Sequence, residues 1–190
     1  GNLRMIELVN ALLNVSRLDL GTFAIEPEEV SLVEIYESVF TELLPQITKK
    51  NQIIERVFAN APGSYRADPK LIRIVFQNFL SNSVKYTQAG GHITTEISTK
   101  QNMLYIRVTD NGYGIPQNQQ SKIFQKLFRA DNVRQKDTEG TGLGMYIVKA
   151  IVETSGGQVS FESKENQGTT FHVFLPLTGM SKKTGAIGLT

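Results

Sequence analysis

Two segments with different hydrophobic periods lie side by side between Asp68 and Asp110, and this switch constrains the fold more than any other feature of the chain. Asp68 and Pro69 form an N-cap and first-turn pair. After them Leu71, Val75 and Phe79 run beside Ile72, Phe76, Leu80 and Val84, which predicts a helix to about Thr87. Past Gly90 and Gly91 the period falls to two. Ile93 to Thr99 and Met103 to Asp110 read as strands joined by a short polar turn, a hairpin. A one-faced helix and a one-faced hairpin must each bury an apolar surface, so the expected architecture is α+β, a two-layer α/β sandwich with helices on one face of the sheet.

The remaining periodicities extend this pattern. Leu3 to Leu20 carries Ile6, Val9, Leu12, Leu13 and Leu20 at helical spacings and predicts an N-terminal amphipathic helix ending near Gly21. Such a helix cannot bury its own stripe and must pack on the domain or on a partner helix. Glu26 to Val30, containing Pro27, reads as an extended connector. Ser31 with Glu34 is a capping box opening a helix through Ile35, Val39, Leu43 and Ile47 toward Lys50, with Pro45 a candidate kink. Ile53 to Phe58 reads as a strand and Asn60 to Tyr65 as a turn. Beyond the hairpin come a short helix around Ser121 to Phe128, a polar stretch to Gly140, a helix from Leu143 to Thr154, and strands Gln158 to Ser163 and Thr169 to Leu175. Met180 to Thr190 reads as a loose tail.

At 190 residues the chain suits one domain with an appended element. Hydrophobic residues at 40% suffice for a core. A net charge of +2 is too small a field to neutralise a polyphosphate backbone, so nucleic acid is not an expected partner. With no cysteine there is no disulfide, thiolate metal site or cysteine nucleophile, and with two histidines, His92 and His172, no histidine-rich metal centre is expected. No apolar run approaches the roughly 18 residues that span a bilayer.

Four clusters carry possible chemistry. Asn78, Asn82 and Lys85, spaced i, i+4, i+7, share one helix face, which fits either a ligand-orienting face or a solvated one. Asp110 continues the inward face of Leu104, Ile106 and Val108 and opens the run Asp110-Asn-Gly-Tyr-Gly-Ile-Pro116. Asn-Gly alone is a common turn dipeptide, but a carboxylate aimed into a core is costly without hydrogen bonds, and a turn does not account for it. Gly140-Thr-Gly-Leu-Gly144 lies just before a helix, where glycines expose backbone N–H groups suited to phosphate, though glycines also simply cap and turn. Gly168-Thr-Thr-Phe171 opens the last strand.

Taken in order, these clusters resemble the N, G1, G2 and G3 boxes of the ATP-binding domain of sensor histidine kinases, in the GHKL superfamily that also holds gyrase and mismatch-repair ATPases. The matching segments are QNFLSNSVKYT, DNGYGIP and GTGLGMYIVKAIVETSGG, with IFQKLFRAD similar to the family's F box. The resemblance implies a Bergerat-type ATP-binding fold over residues 31–177, with ATP and Mg²⁺ as cofactors. Residues 1–23 resemble the C-terminal part of the dimerisation and phosphotransfer stem, 24–30 would be a linker, and 178–190 a flexible tail. Asp110 would accept from the adenine amino group, assisted through water by Thr170, and Asn82 would bind Mg²⁺. Asn78, Lys85 and Tyr86 would line the site, and Arg129 would reach the γ-phosphate, with Asn78, Lys85 and Arg129 the catalytic set. Gly112, Gly114 and Ile115 would border the nucleotide. Gly140, Gly142 and Gly144 would shape the hinge of a lid over about 130–139, anchored by Phe124 and Phe128, and with Thr141 and Leu143 they would also contact the nucleotide.

The implied activity is that of a histidine protein kinase transferring the ATP γ-phosphate to a histidine, then to a response regulator. A motif like His-Glu-Leu-Arg-Thr-Pro, which holds the family's phosphoacceptor, does not occur here, so this fragment is expected not to autophosphorylate alone. The implied partners are the phosphoacceptor stem helices and a response regulator, with a homodimeric, cytoplasmic parent open to an inner-membrane anchor and a monomeric fragment. In hydrolysing members a glutamate stands one turn before the metal-binding asparagine; Asn78 stands here, and an amide is no general base near neutral pH. Transfer is therefore expected over hydrolysis. A non-catalytic, nucleotide-dependent interaction module of the same fold is the alternative.

Overall fold

The computed structural model describes residues 24–134 and 140–184. The predicted N-terminal helix, the far part of the lid and the end of the tail lie outside the described residues. Glu28–Val30 forms strand β1, Leu32–Lys49 helix α1, Ile53–Val57 strand β2 and Tyr65–Ala67 strand β3. Pro69–Tyr86 is helix α2, His92–Lys100 and Met103–Asp110 are strands β4 and β5, and Gln117–Lys122 is a 3₁₀ turn. A one-turn helix, α3, covers Asp131–Arg134, followed by helix α4 at Gly144–Thr154 and strands β6, Gln158–Lys164, and β7, Gly168–Pro176.

Five strands form one sheet in the order β2-β4-β5-β7-β6. The hairpin β4–β5 is antiparallel as its short turn requires, as are β5–β7 and β7–β6, while β2 runs parallel to β4 because the chain crosses between them through α2. Helices α1, α2 and α4 cover one face. The Ser31 hydroxyl accepts from Glu34 N–H at the start of α1, and the helix then buries Leu32, Tyr36, Val39, Leu43 and Ile47, running through Pro45 to Lys49. Asp68 caps α2, accepting from Lys70 and Leu71 N–H. The stripe Ile72, Val75, Phe76 and Phe79 goes fully into the core, where Phe76 meets Tyr36 edge-on at 5.6 Å and Phe79 tilts against Phe171 at 5.1 Å.

Three expectations are corrected. The extended connector is partly a strand: β1 pairs antiparallel with β3, a strand where the sequence suggested a turn reaching Tyr65. Three-residue strands are too short for alternation to reveal them. The helix expected over Ser121 to Phe128 is instead the 3₁₀ turn beginning earlier, after Pro116, whose carbonyl accepts from Gln119 N–H. The tail does not loosen at residue 178: Met180 is 2% exposed and bonds Arg66 O through its N–H, and Lys183 pairs with Ile25.

Candidate functional site

The polar side of α2 faces a cavity of about 680 Å³, lined by Asn78, Asn82, Lys85 and Tyr86. This follows from the 3.6-residue period: the apolar stripe consumes one side of the helix and leaves these four on a common flank. Asp110, the last residue of β5, closes the cavity's inner end and is 8% exposed. Its Oδ1 accepts from Gly112 N–H at 3.0 Å and its Oδ2 from the Ser83 hydroxyl at 3.1 Å. Burial raises its pKa above the ordinary value, while the Gly112 N–H, the Ser83 hydroxyl and the Thr169 backbone pull it back toward ionisation. A carboxylate so placed retains acceptor capacity for a ligand donor entering the cavity.

The G1-like segment is fixed by its neighbours. Gly114 has φ +61°, and a Cβ there would collide with Lys164 O, so both conformation and space require glycine. Gly114 O accepts from Asn132 Nδ2 at 3.0 Å, and Ile115 N–H donates to Ser163 Oγ at 2.8 Å. Tyr113 N–H donates to Tyr86 O at 3.1 Å, tying this loop to the end of α2.

At the other end of the cavity stands the N-terminus of α4. Leu143 occupies its N-cap position, and no side-chain cap closes the start of this 11-residue helix. Gly144 packs so closely under α2 that a Cβ would strike Asn78 Oδ1, while Asn78 Nδ2 donates back to Ile74 O at 2.8 Å. Gly140 lies beside Arg129, whose Nε would be 3.0 Å from a Cβ on that glycine. A carboxylate at the base, set against an arginine and a helix N-terminus without a side-chain cap, gives different parts of the cavity opposite electrostatic character.

Gly114, Ile115, Arg129, Gly140, Thr141 and Gly142 line the cavity as well. Three sequence-predicted residues do not. Gly112 serves through its N–H to Asp110. Leu143 is 1% exposed in the core. Thr170 pairs with Thr109 and its hydroxyl bonds that of Thr109 at 3.1 Å, so strand alternation puts it on the opposite face of the sheet. Thr169, opposite Asp110 in the register, lines the cavity instead. Its phase with Phe171, Val173 and Leu175 was the available signal. Ser83 escaped because it lies within the apolar stripe of α2, and Asn132 because it follows the recognised motifs. Phe128 lines the cavity and Phe124 packs edge-on against Phe161 at 5.7 Å. His92 and His172 lie elsewhere; His172 Nδ1 bonds the Tyr105 hydroxyl at 2.8 Å, and burial lowers its pKa.

A buried carboxylate at one end of a cavity and an uncapped helix N-terminus at the other, held between a helix layer and a mixed sheet, define a nucleotide-binding sandwich. Residues 67–179 match the family of histidine kinase-, DNA gyrase B- and HSP90-like ATPases. The chain belongs to that family and carries the ATP-binding catalytic domain of the sensor histidine kinases. It is 33% identical to the sensor histidine kinase WalK of Bacillus subtilis over 91% of its own length, yet spans only 28% of that protein. The structure of histidine kinase ThkA in complex with the response regulator protein TrrA matches at 26% identity and a TM-score of 0.66, covering 81% of this chain and 42% of that one. Full-length ShkA in complex with AMPPNP shares the fold at a TM-score of 0.79 and 23% identity, over 95% of this chain and 37% of that one.

Proposed function

We propose that the cavity binds ATP with its adenine amino group on Asp110 and its phosphates between Asn82, Lys85, Arg129 and the N-terminus of α4. The observation that carries this reading is the placement of Asp110, a buried carboxylate closing a cavity whose far end is built for an anion. In the intact kinase the γ-phosphate passes to a histidine on a stem helix: the bond from phosphorus to the bridging oxygen breaks, a phosphorus–nitrogen bond forms, and ADP leaves. A response-regulator aspartate then receives the phosphoryl group, the partnership seen for ThkA and TrrA.

The residues' own work is positioning and charge neutralisation, which phosphoryl transfer requires more than covalent help. Lys85 and Arg129 offset phosphate charge, Gly112 N–H and Ser83 keep Asp110 an acceptor, and Asn78 supplies no base, so water is not activated. Asn82 is the residue that would hold Mg²⁺. Among the described residues no group of three or more acidic, histidine or cysteine side chains gathers for a metal, and one amide oxygen is a weak ligand, so the site fits an ion carried in on phosphates. Bound there, Mg²⁺ supplies charge neutralisation. The described residues include no helix long and apolar enough to cross a membrane, and we place this domain in the cytoplasm with its ATP.

Calorimetric titration with AMPPNP, with and without Mg²⁺, tests the reading. Saturable binding strengthened by Mg²⁺, with no steady phosphate release from ATP, is the expected result; absence of binding to the folded chain rejects it. Adding a separately produced stem carrying the phosphoacceptor histidine and following label transfer from γ-labelled ATP separates the kinase from a non-catalytic interaction module.

A further inference from the structure

We propose that Lys50, aided by Gln52, is a positioning residue for the nucleotide site, holding the last turn of α2 and thereby Asn82, Lys85 and Tyr86. This rests on the site reading above and adds a residue that touches no ligand.

The last carbonyls of a helix have no intrahelical donors. Many helices solve this with a left-handed glycine, but α2 ends at Thr87 in an extended conformation, φ −90° and ψ 137°, which forms no such cap. Side chains from outside the helix stand in. Lys50 Nζ donates to Val84 O at 2.8 Å, Lys85 O at 2.8 Å and Thr87 O at 3.0 Å, using all three ammonium protons. Gln52 Nε2 donates to Val84 O at 2.9 Å and Thr87 O at 2.8 Å. Ser83 O is met by Thr87 N–H and Tyr86 O by Tyr113 N–H, which completes the turn. A cation on the carbonyls also complements the negative pole of the helix. Burial lowers the Lys50 pKa.

The consequence for the site is geometric. The carbonyls that Lys50 holds belong to residues within the turn bearing Asn82, Lys85 and Tyr86, and Ser83 in that turn bonds Asp110. Lys50 itself sits just past the end of α1, and its own carbonyl accepts from Gly90 N–H at 2.8 Å, so the anchor is fixed on both sides. Freeing this end lets the turn fray, and both ends of the nucleotide lose their register.

The test is AMPPNP affinity by calorimetry, with and without Mg²⁺, for the 190-residue chain, Lys50→Met, Lys50→Arg and Val39→Ala, each well below its melting temperature. Val39, fully buried in α1 and not itself lining the cavity, provides a destabilised control. Lys50→Met is expected to bind about tenfold more weakly, the scale of a lost charged hydrogen bond acting through the turn, and to gain less from Mg²⁺. Lys50→Arg should recover part of the loss, and Val39→Ala should bind as the parent does. Parent-like affinity in Lys50→Met, or an equal loss in Val39→Ala, overturns the proposal. If Lys50→Met does not fold, Gln52→Leu reads the same quantity, with weaker binding expected and parent-like binding refuting. Failure of the parent to bind nucleotide instead rejects the site reading itself.

Discussion

Asp110 concentrates the chemistry of the site in one carboxyl group, and its titration gives a signed prediction. Burial holds its folded pKa above the ordinary 3.8. Accepting from an adenine amino group requires the ionised form, so nucleotide affinity should fall as pH drops through the raised folded value, earlier than an exposed carboxylate would dictate. For the ligand-free fold the sign reverses. The protonated form suits the buried position better, so the Asp110 contribution to stability is fully present below the unfolded value and is lost as pH rises through the folded one. Asp110→Asn keeps the shape, removes the titration and should weaken AMPPNP binding by roughly tenfold or more, the scale of a charged hydrogen bond. Calorimetry of both forms across the acid range checks this; parallel pH profiles would sink the assignment. Asp110 was legible in the sequence because alternation along β5 forced it inward. Thr169 was equally legible by the same rule, and the choice of Thr170 came from the resemblance and not from the strand's phase. Ser83 was not legible, since a serine inside an apolar stripe gives no sign of which buried carboxylate it meets.

Helix α2 shows how far local rules carry. Its N-cap, first-turn proline and stripe specify where it starts and what it buries, and the structure follows them over Pro69–Tyr86. Its ends, however, are held by distant parts of the chain. Asp68 Oδ1 serves the helix while its Oδ2 accepts from Glu26 N–H at 3.0 Å, tying the segment before β1 to the helix that bears the site. Asp68→Ala should therefore cost about 1–2 kcal/mol, at or above the usual loss of a cap. Urea unfolding measures it, and a loss of a few tenths would show that neither the cap nor the Glu26 contact contributes appreciably. At α4 the prediction concerns shape: Gly144→Ala places a methyl against Asn78 Oδ1 and must displace the Asn78 amide where phosphate is proposed to bind. AMPPNP binding should drop while α4's own propensity improves by up to about 1 kcal/mol, so a binding loss without a matching stability loss distinguishes the site effect from unfolding. The strands β1 and β3 and the 3₁₀ turn escaped the sequence reading because each is set by partners dozens of residues away.

In the whole molecule the cavity lies between layers, so whatever fills it bears on the stability of the domain. One wall is α2 flanked by Leu43 and Gln46 of α1, another the end of β5 with the start of β7, and a third the start of α4 with the Arg129 loop. Unfolding disperses all three, so a nucleotide that binds the folded state stabilises it by RT ln(1 + [L]/Kd), about 2.7 kcal/mol at a hundredfold excess over Kd. For a domain of this size each kcal/mol raises the melting temperature by roughly 2–4 °C, so saturating AMPPNP with Mg²⁺ should raise it by about 5–11 °C. Mg²⁺ alone should shift it little, because Asn82 offers one neutral oxygen and the described residues gather no acidic cluster around it. Nucleotide without Mg²⁺ should fall between the two. A scanning-calorimetry series with ligand, metal and both resolves the order. An equal shift from Mg²⁺ alone would place the metal site outside the phosphate contacts and remove Asn82 from its assigned role. A shift from nucleotide that persists in full in Asp110→Asn would move the adenine away from the floor of the cavity.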